Sequence, residues 1–100
     1  MNLMITVIDI QGTCPVYHLE DRIIIRNGFI LDGHASGSVC MHSLSSIIPY
    51  YIALSRGIAP IELGLNNADK NIAYLQCLDP CKFTGGGTVT FAVEVNEDAQ

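Results

Sequence analysis

The stretch RIIIRNGFIL, residues 22–31, contains the strongest constraint on the fold, which is an Asn-Gly pair between two apolar runs. Asn27 and Gly28 both tolerate the positive φ angles that a two-residue type I′ turn requires. Such a turn joins two neighbouring antiparallel strands, because its backbone twist matches theirs. The sequence therefore predicts a β-hairpin at this point, and with it a sheet that is at least partly antiparallel.

Three further segments have the composition of strands. Residues 3–10, LMITVIDI, are apolar and β-branched on both faces, which is typical of a strand that is buried on both sides or covered in an oligomer. IAYLQC, residues 72–77, predicts another strand. TVTFAVEV, residues 88–95, alternates, with Val89, Phe91, Val93 and Val95 on one face. Gly85 to Gly87 before it predict a turn rather than a phosphate loop, because no helix follows them.

One long helix is predicted between residues 38 and 57. Ser38 is a suitable N-cap, and apolar residues then recur at helical spacing. They are Leu44, Ile47, Ile48, Tyr51 and Ile52. Pro49 removes a backbone hydrogen bond and is expected to bend or split the helix, and Gly57 is expected to end it. The order of elements predicts one α+β domain over residues 1–100, a small, mostly antiparallel sheet of four to five strands with one bent helix packed on it.

The composition limits the classes of partner. Charged residues make up 15% of the chain, hydrophobic residues 49%, and the net charge is −5. Nucleic acids and anionic membranes both attract clusters of Lys and Arg, which this sequence lacks, so we expect neither as a partner. Because so much apolar surface is hard to bury within one small subunit, we expect a homo-oligomer.

The sequence also suggests a compartment. The first twelve residues lack the basic segment that precedes the apolar run of a secretory signal, and no apolar run reaches the length of a membrane span. We therefore expect a cytoplasmic protein, in which thiols stay reduced. In such a protein, four cysteines favour metal binding or catalysis over disulfides.

Four cysteines and one histidine are the candidate metal ligands. CPVYH contains Cys14 and His18, and CLDPC contains Cys77 and Cys81. Ligands a few residues apart allow one loop to present two of them to a tetrahedral ion. Cys40 can replace His18 to give a set of four cysteines. Thiolate and imidazole ligands predict zinc or iron as the ion.

Cys40 has two further interpretations. A free cysteine often serves as a small apolar core residue. In the first turn of a helix its thiolate would be favoured, which makes Cys40 the best candidate nucleophile if the protein is an enzyme. Projected on a regular helix, Cys40 shares the sheet-facing side with Leu44, whereas His42 lies about 200° further round. This projection predicts that Cys40 and His42 do not act at one site.

A pattern of cysteines, prolines and apolar residues extends over nearly the whole chain. It lies in the segments GTCPVYHLEDRIII, VCMHSLSSIIPYYIALSRG, QCLDPCKF and VTFAVEV. The pattern resembles a family of small conserved hypothetical proteins of bacteria and archaea. Its members have G-x-C-P, then C-x-x-x-L with P-Y-x-x-A-L, then C-P-D-P and a V-x-F strand. The resemblance implies a common set of Cys14, Cys40 and Cys77, with Cys81 outside it, and implies no assigned activity. The chain departs from the pattern where CLDP replaces C-P-D-P.

Three functions remain open on these residues. In the first, the protein binds a metal ion through the common set of cysteines, with Cys81 or His18 as the fourth ligand. In the second, it is a metal-free oligomeric module that binds a small ligand or acts through a thiol, with Cys40, Tyr50 and Tyr51 in an interface pocket. In the third, it is a structural interaction protein with no site.

Overall fold

The fold is described from a computed structural model, which describes residues 1–96. Its elements, in chain order, are β1 (Leu3–Gly12), β2 (Arg22–Arg26), β3 (Ile30–Leu31), α1 (Gly33–Ser36), α2 (Met41–Ser55), a 3₁₀ helix (Pro60–Leu63), β4 (Ala73–Gln76), α3 (Cys81–Thr84) and β5 (Gly87–Val95). The five strands form one antiparallel sheet in the order β3-β2-β1-β5-β4. The predicted α+β class is confirmed, with α2 as the long helix and two single-turn helices that were not predicted.

β1 lies in the middle of the sheet, between β2 and β5. Its register with β5 shifts once, between Val7 and Asp9, so that Ile8 is an extra residue in a β-bulge. The bulge allows Val7 and Ile10, which are three positions apart, to pack on the same core. Ile8 itself is exposed. In the chain alone, therefore, β1 is not buried on both faces as its composition predicts.

The predicted hairpin joins β2 and β3. Asn27 and Gly28 have φ angles of 56° and 81°, as a type I′ turn requires, and the Phe29 N–H donates to the Arg26 carbonyl at 3.1 Å. Gly28 also lies against the end of α2, because a Cβ at this position would be 2.9 Å from Ser55 Oγ. The turn therefore sets both the register of the hairpin and its contact with the helix.

α2 packs on one face of the sheet. It begins after Cys40 rather than Ser38, which differs from the sequence-based prediction. Pro49 was expected to bend or split the helix, and the helix is not split, since it is continuous through this residue. Its buried residues include Ile47 and Leu54, whereas Ile48 and Ile52 are 56% and 57% exposed. Apolar side chains surround this helix, so helical spacing alone could not identify the face that packs on the sheet.

The core lies between α2 and the sheet. Its buried residues come from every strand except β3, and the largest of them are Phe91, Leu3, Ile5, Ile23 and Ile47. Within the described residues, no helix is long and apolar enough to cross a membrane.

α1 closes the sheet beyond the short strand β3. The Asp32 carboxylate caps α1 by accepting from the N–H groups of His34 and Ala35, at 3.0 and 2.9 Å, and it also pairs with Arg26. The Ser36 hydroxyl then accepts from the Ile24 N–H at 2.9 Å. A side chain thus satisfies a backbone group of β2 that β3 is too short to reach.

Candidate functional site

One end of the core opens into a cavity of about 310 Å³. Its walls come from the loop after β1, the N-terminus of α2 and the segment between β4 and β5. The lining side chains that could carry chemistry are Cys14, Tyr17, Cys40, His42, Cys77 and Asp79. The rest of the lining is mostly apolar, and the volume is within the range of pockets that bind small molecules.

The cavity contains three of the five predicted ligands. They are Cys14, Cys40 and Cys77. His18 is elsewhere, with its side chain 90% exposed and Nδ1 3.8 Å from an Asp21 carboxylate oxygen. Cys81 does not line the cavity either, and it lies against Gly12. Among residues 1–96, no three Cys, His, Asp or Glu side chains are grouped so that they could hold a metal ion.

Two of the three cavity thiols are hydrogen-bonded to backbone. The Cys77 sulfur, in a residue that is only 6% exposed, accepts from the Val89 N–H at 3.3 Å and lies 3.6 Å from the Gly87 carbonyl, to which it donates. The Cys14 sulfur accepts from the Tyr17 N–H at 3.4 Å. Within the described part of the chain, the Cys40 sulfur makes no hydrogen bond. The three thiols are therefore not equivalent.

A ring of hydrogen bonds fixes the backbone of Cys40 instead. Its N–H donates to the Tyr17 hydroxyl at 2.8 Å, and its carbonyl accepts from the Ser43 hydroxyl at 2.7 Å. Because the Ser43 proton is used in this way, the Tyr17 hydroxyl must donate to Ser43 Oγ, which lies 2.6 Å away. Tyr17 and Ser43 are buried, and the Tyr17 ring meets Phe91 edge to face at 5.6 Å.

The hydroxyl of Tyr17 remains protonated at ordinary pH. Burial raises its pKa above the usual value, since a phenolate would lose its hydration, and the hydrogen bonds with Ser43 and Cys40 offset only part of this effect. A protonated hydroxyl is the form that can both donate to Ser43 and accept from Cys40. The ring therefore persists over the whole neutral range.

Cys40 is the N-cap of α2, with φ −83° and ψ 133°, and this extended backbone brings it together with His42 at the cavity. The helical projection separated these two residues because it assumed helical angles at Cys40, and the structure differs on this point. No acceptor within residues 1–96 takes the N–H of Met41 or of His42. The end of α2 thus offers two free donors and the positive end of the helix dipole.

Gly87 and Asp79 shape the floor of the cavity. A Cβ on Gly87 would lie 2.6 Å from the carbonyl carbon of Thr13, so only glycine allows the two chain segments to approach so closely. The Asp79 carboxylate accepts from the Gly87 N–H at 3.3 Å and from the Thr84 hydroxyl. Asp79 therefore holds the turn between β4 and β5, and Gly87 serves for close packing rather than for flexibility.

The sequence did not identify Tyr17 and Ser43 as site residues. Tyr17 stands three positions after Cys14 in CPVYH, but only the folded chain brings its hydroxyl to the start of α2. Tyr50 and Tyr51, which were expected in a pocket, pack partly buried against the core and do not line the cavity.

In comparisons with known proteins, no family model, no curated protein and no solved structure matches this chain. The resemblance to a three-cysteine family therefore stays a prediction.

Proposed function

We propose that the protein binds a small, largely apolar molecule in the cavity at the N-terminus of α2. The observation that carries this proposal is the cavity itself, about 310 Å³ in volume, with three separate thiols in an otherwise mostly apolar wall. A volume of this size suits a small organic molecule, and a few polar groups in an apolar wall are typical of ligand pockets.

The lining suggests the chemistry of the ligand. It contains no Lys or Arg, so a multiply charged anion would find no counter-ion there. The free N–H group of His42, which lies in the cavity wall at the start of α2, suits one acceptor group, such as a carbonyl or a single carboxylate. The expected ligand has an apolar body and one oxygen acceptor.

Titration of ¹⁵N-labelled protein with small aromatic and aliphatic carboxylates and ketones tests this proposal. We expect the amide shift changes to be largest at residues of the cavity wall. Val16→Phe would fill the cavity and abolish these changes, whereas Val95→Phe, at the exposed end of β5, would leave them intact. If no compound shifts the cavity amides, the proposed function is wrong.

A metal ion, zinc or iron, is the second candidate, and the shared cavity of Cys14, Cys40 and Cys77 favours it. Because the described side chains are not grouped to hold an ion, metal binding would have to draw the thiols inward by side-chain rotation. Elemental analysis of untagged protein, prepared without chelator, decides between the candidates. About one ion per chain supports the metal, and a trace amount excludes it.

The same proposal includes a compartment and an assembly state. All four cysteines are free, which suits the reducing cytoplasm. A second copy of the chain is the proposed partner, supported by the apolar residues that α2 exposes on its outer face, which are Met41, Ile48 and Ile52.

A further inference from the structure

The three thiols of the cavity differ in what surrounds each sulfur. The Cys14 and Cys77 sulfurs accept backbone N–H groups, and Cys77 is almost fully buried. The Cys40 sulfur is half-buried and makes no hydrogen bond within residues 1–96. Cys40 is therefore the cavity thiol whose electron pairs are available to a bound molecule.

The backbone of Cys40 is held in one position. The hydroxyls of Tyr17 and Ser43 bond its N–H and its carbonyl, and both side chains are buried. The next two N–H groups, those of Met41 and His42, have no acceptor in the described chain. The Cys40 side chain therefore starts from a backbone that is held in place at a helix N-terminus, where the helix dipole and the unused donors favour negative charge.

We propose that Cys40 forms a covalent thioether with an α,β-unsaturated carbonyl compound that enters the cavity. This inference rests on the proposed function, because the cavity must first admit an apolar molecule with an oxygen acceptor. In the reaction, the sulfur electron pair forms a bond to the β-carbon, and the π electrons of the double bond move to give an enolate. The proton that left the thiol is then taken up at the α-carbon, so nothing is oxidised and no group leaves.

The environment of Cys40 matches this reaction at both ends of the electrophile. The apolar wall suits the carbon body of an enone or enal. The free N–H group of His42, a residue of the cavity wall, suits the carbonyl oxygen, on which negative charge develops as the enolate forms. Tyr17 and Ser43 are positioning residues, because their hydroxyls hold the backbone that carries the sulfur.

N-Ethylmaleimide, an α,β-unsaturated carbonyl compound, is the probe. The native protein is treated with it for increasing times, quenched, digested, and analysed for the alkylated fraction of each cysteine by mass spectrometry. We expect Cys40 to react roughly tenfold or more faster than Cys81. Cys81 is the matched control, since it is also half-buried with no hydrogen bond to its sulfur in the described chain, but it lies outside the cavity.

Two variants distinguish a role of Tyr17 in positioning Cys40 from a role in the stability of the whole fold. Tyr17→Phe keeps the ring and removes the hydroxyl, so the rate at Cys40 should fall several-fold while the rate at Cys81 stays constant. Tyr74→Phe, in a strand away from the cavity, should change neither rate. If Tyr17→Phe alters both cysteines equally, Tyr17 is structural only and has no positioning role.

The results also separate this inference from the proposed function. Equal alkylation rates at Cys40 and Cys81 would overturn the covalent role of Cys40, even if carboxylates and ketones still shift the cavity amides. Fast alkylation of Cys40 that these compounds slow supports both. Fast alkylation together with no cavity shifts would support a reactive thiol and overturn the ligand cavity.

Discussion

Tyr17 shows how one side chain joins the sheet to the helix. Its ring packs on Phe91 in β5, while its hydroxyl bonds the first residues of α2. The geometry of the cavity therefore depends on a phenol whose two ends serve different elements. Removing only the hydroxyl should separate these two contributions.

Tyr17→Phe is expected to lower the free energy of unfolding by about 1–3 kcal/mol, since it leaves the partly buried Cys40 N–H without its acceptor. Urea denaturation measures this change. Tyr74→Phe is the control, because no hydrogen bond of the Tyr74 hydroxyl is present in the described chain, and its effect should stay within about 0.5 kcal/mol. Equal effects of the two substitutions would show that the hydrogen-bond ring contributes nothing to stability.

The Asp32 carboxylate makes the stability of the folded state depend on pH in the acid range. Its pKa is lowered from the ordinary 3.8, first by the Ala35 N–H and then by Arg26, which both favour the carboxylate. The folded state therefore holds this proton less tightly than the unfolded state, and the contribution is fully present above pH 3.8 and lost as the pH falls through the lower, folded pKa. We expect Asp32→Asn, which can still cap α1, to flatten the loss of stability in acid.

Thermal unfolding of both proteins between pH 6 and pH 2 provides the measurement. The difference in melting temperature between native chain and variant should shrink as the pH decreases. A constant difference across this range would contradict a role for the ionised carboxylate.

At the scale of elements, the cavity depends on how closely β5 approaches the loop after β1. Gly87 lies at this crossing, and it has no positive φ, so sterics alone exclude other residues. The triple-glycine segment thus acts in packing at one of its positions and as a left-handed cap at another, Gly85, where φ is 75°.

Gly87→Ala should destabilise the fold by about 1–3 kcal/mol, because its Cβ would overlap backbone atoms of Thr13 and Cys14. The cavity amides should shift in an NMR spectrum. Gly33→Ala is the control, as no atom lies within 4 Å of its Cβ position, and it should be close to neutral. A neutral effect of Gly87→Ala would mean that the two segments can separate without cost.

The elements that could be predicted from the sequence are those whose structure is determined by a short segment of the chain. The Asn27-Gly28 turn and the alternation of residues 88–95 both identify their strands, because turn chemistry and strand period are properties of short segments. The bulge at Ile8 and the N-cap at Cys40 could not be predicted, since contacts with distant segments decide both. The common cavity of Cys14, Cys40 and Cys77 also followed from no local pattern, and only the family resemblance grouped these residues. Their role as metal ligands stays a prediction.

At the scale of the whole molecule, large apolar side chains lie on the surface as well as in the core. Several large apolar side chains are exposed, including Phe29, Met41, Ile48, Ile52, Leu78 and Phe83. Three of them follow one face of α2. A surface of this kind on a chain with few charges favours association with a second copy.

We expect sedimentation equilibrium at micromolar concentration to give a mass above that of one chain, and the double substitution Ile48→Glu with Ile52→Glu to restore the monomer. Leu19→Glu, at an exposed residue in the loop between β1 and β2, is the control and should leave the mass unchanged. A monomeric native protein would contradict the assembly.

The central strand pair also has a consequence for how the protein is made. β1 and β5 are antiparallel neighbours along almost their whole length, although all the other elements lie between them in the chain. Closing so long a loop costs entropy before the pair gains any contact, so folding should be slow. Until β5 pairs with β1, the cavity lacks the wall that Gly87 and Val89 supply, so Cys14, Cys40 and Cys77 come to share one site only at this late step of folding.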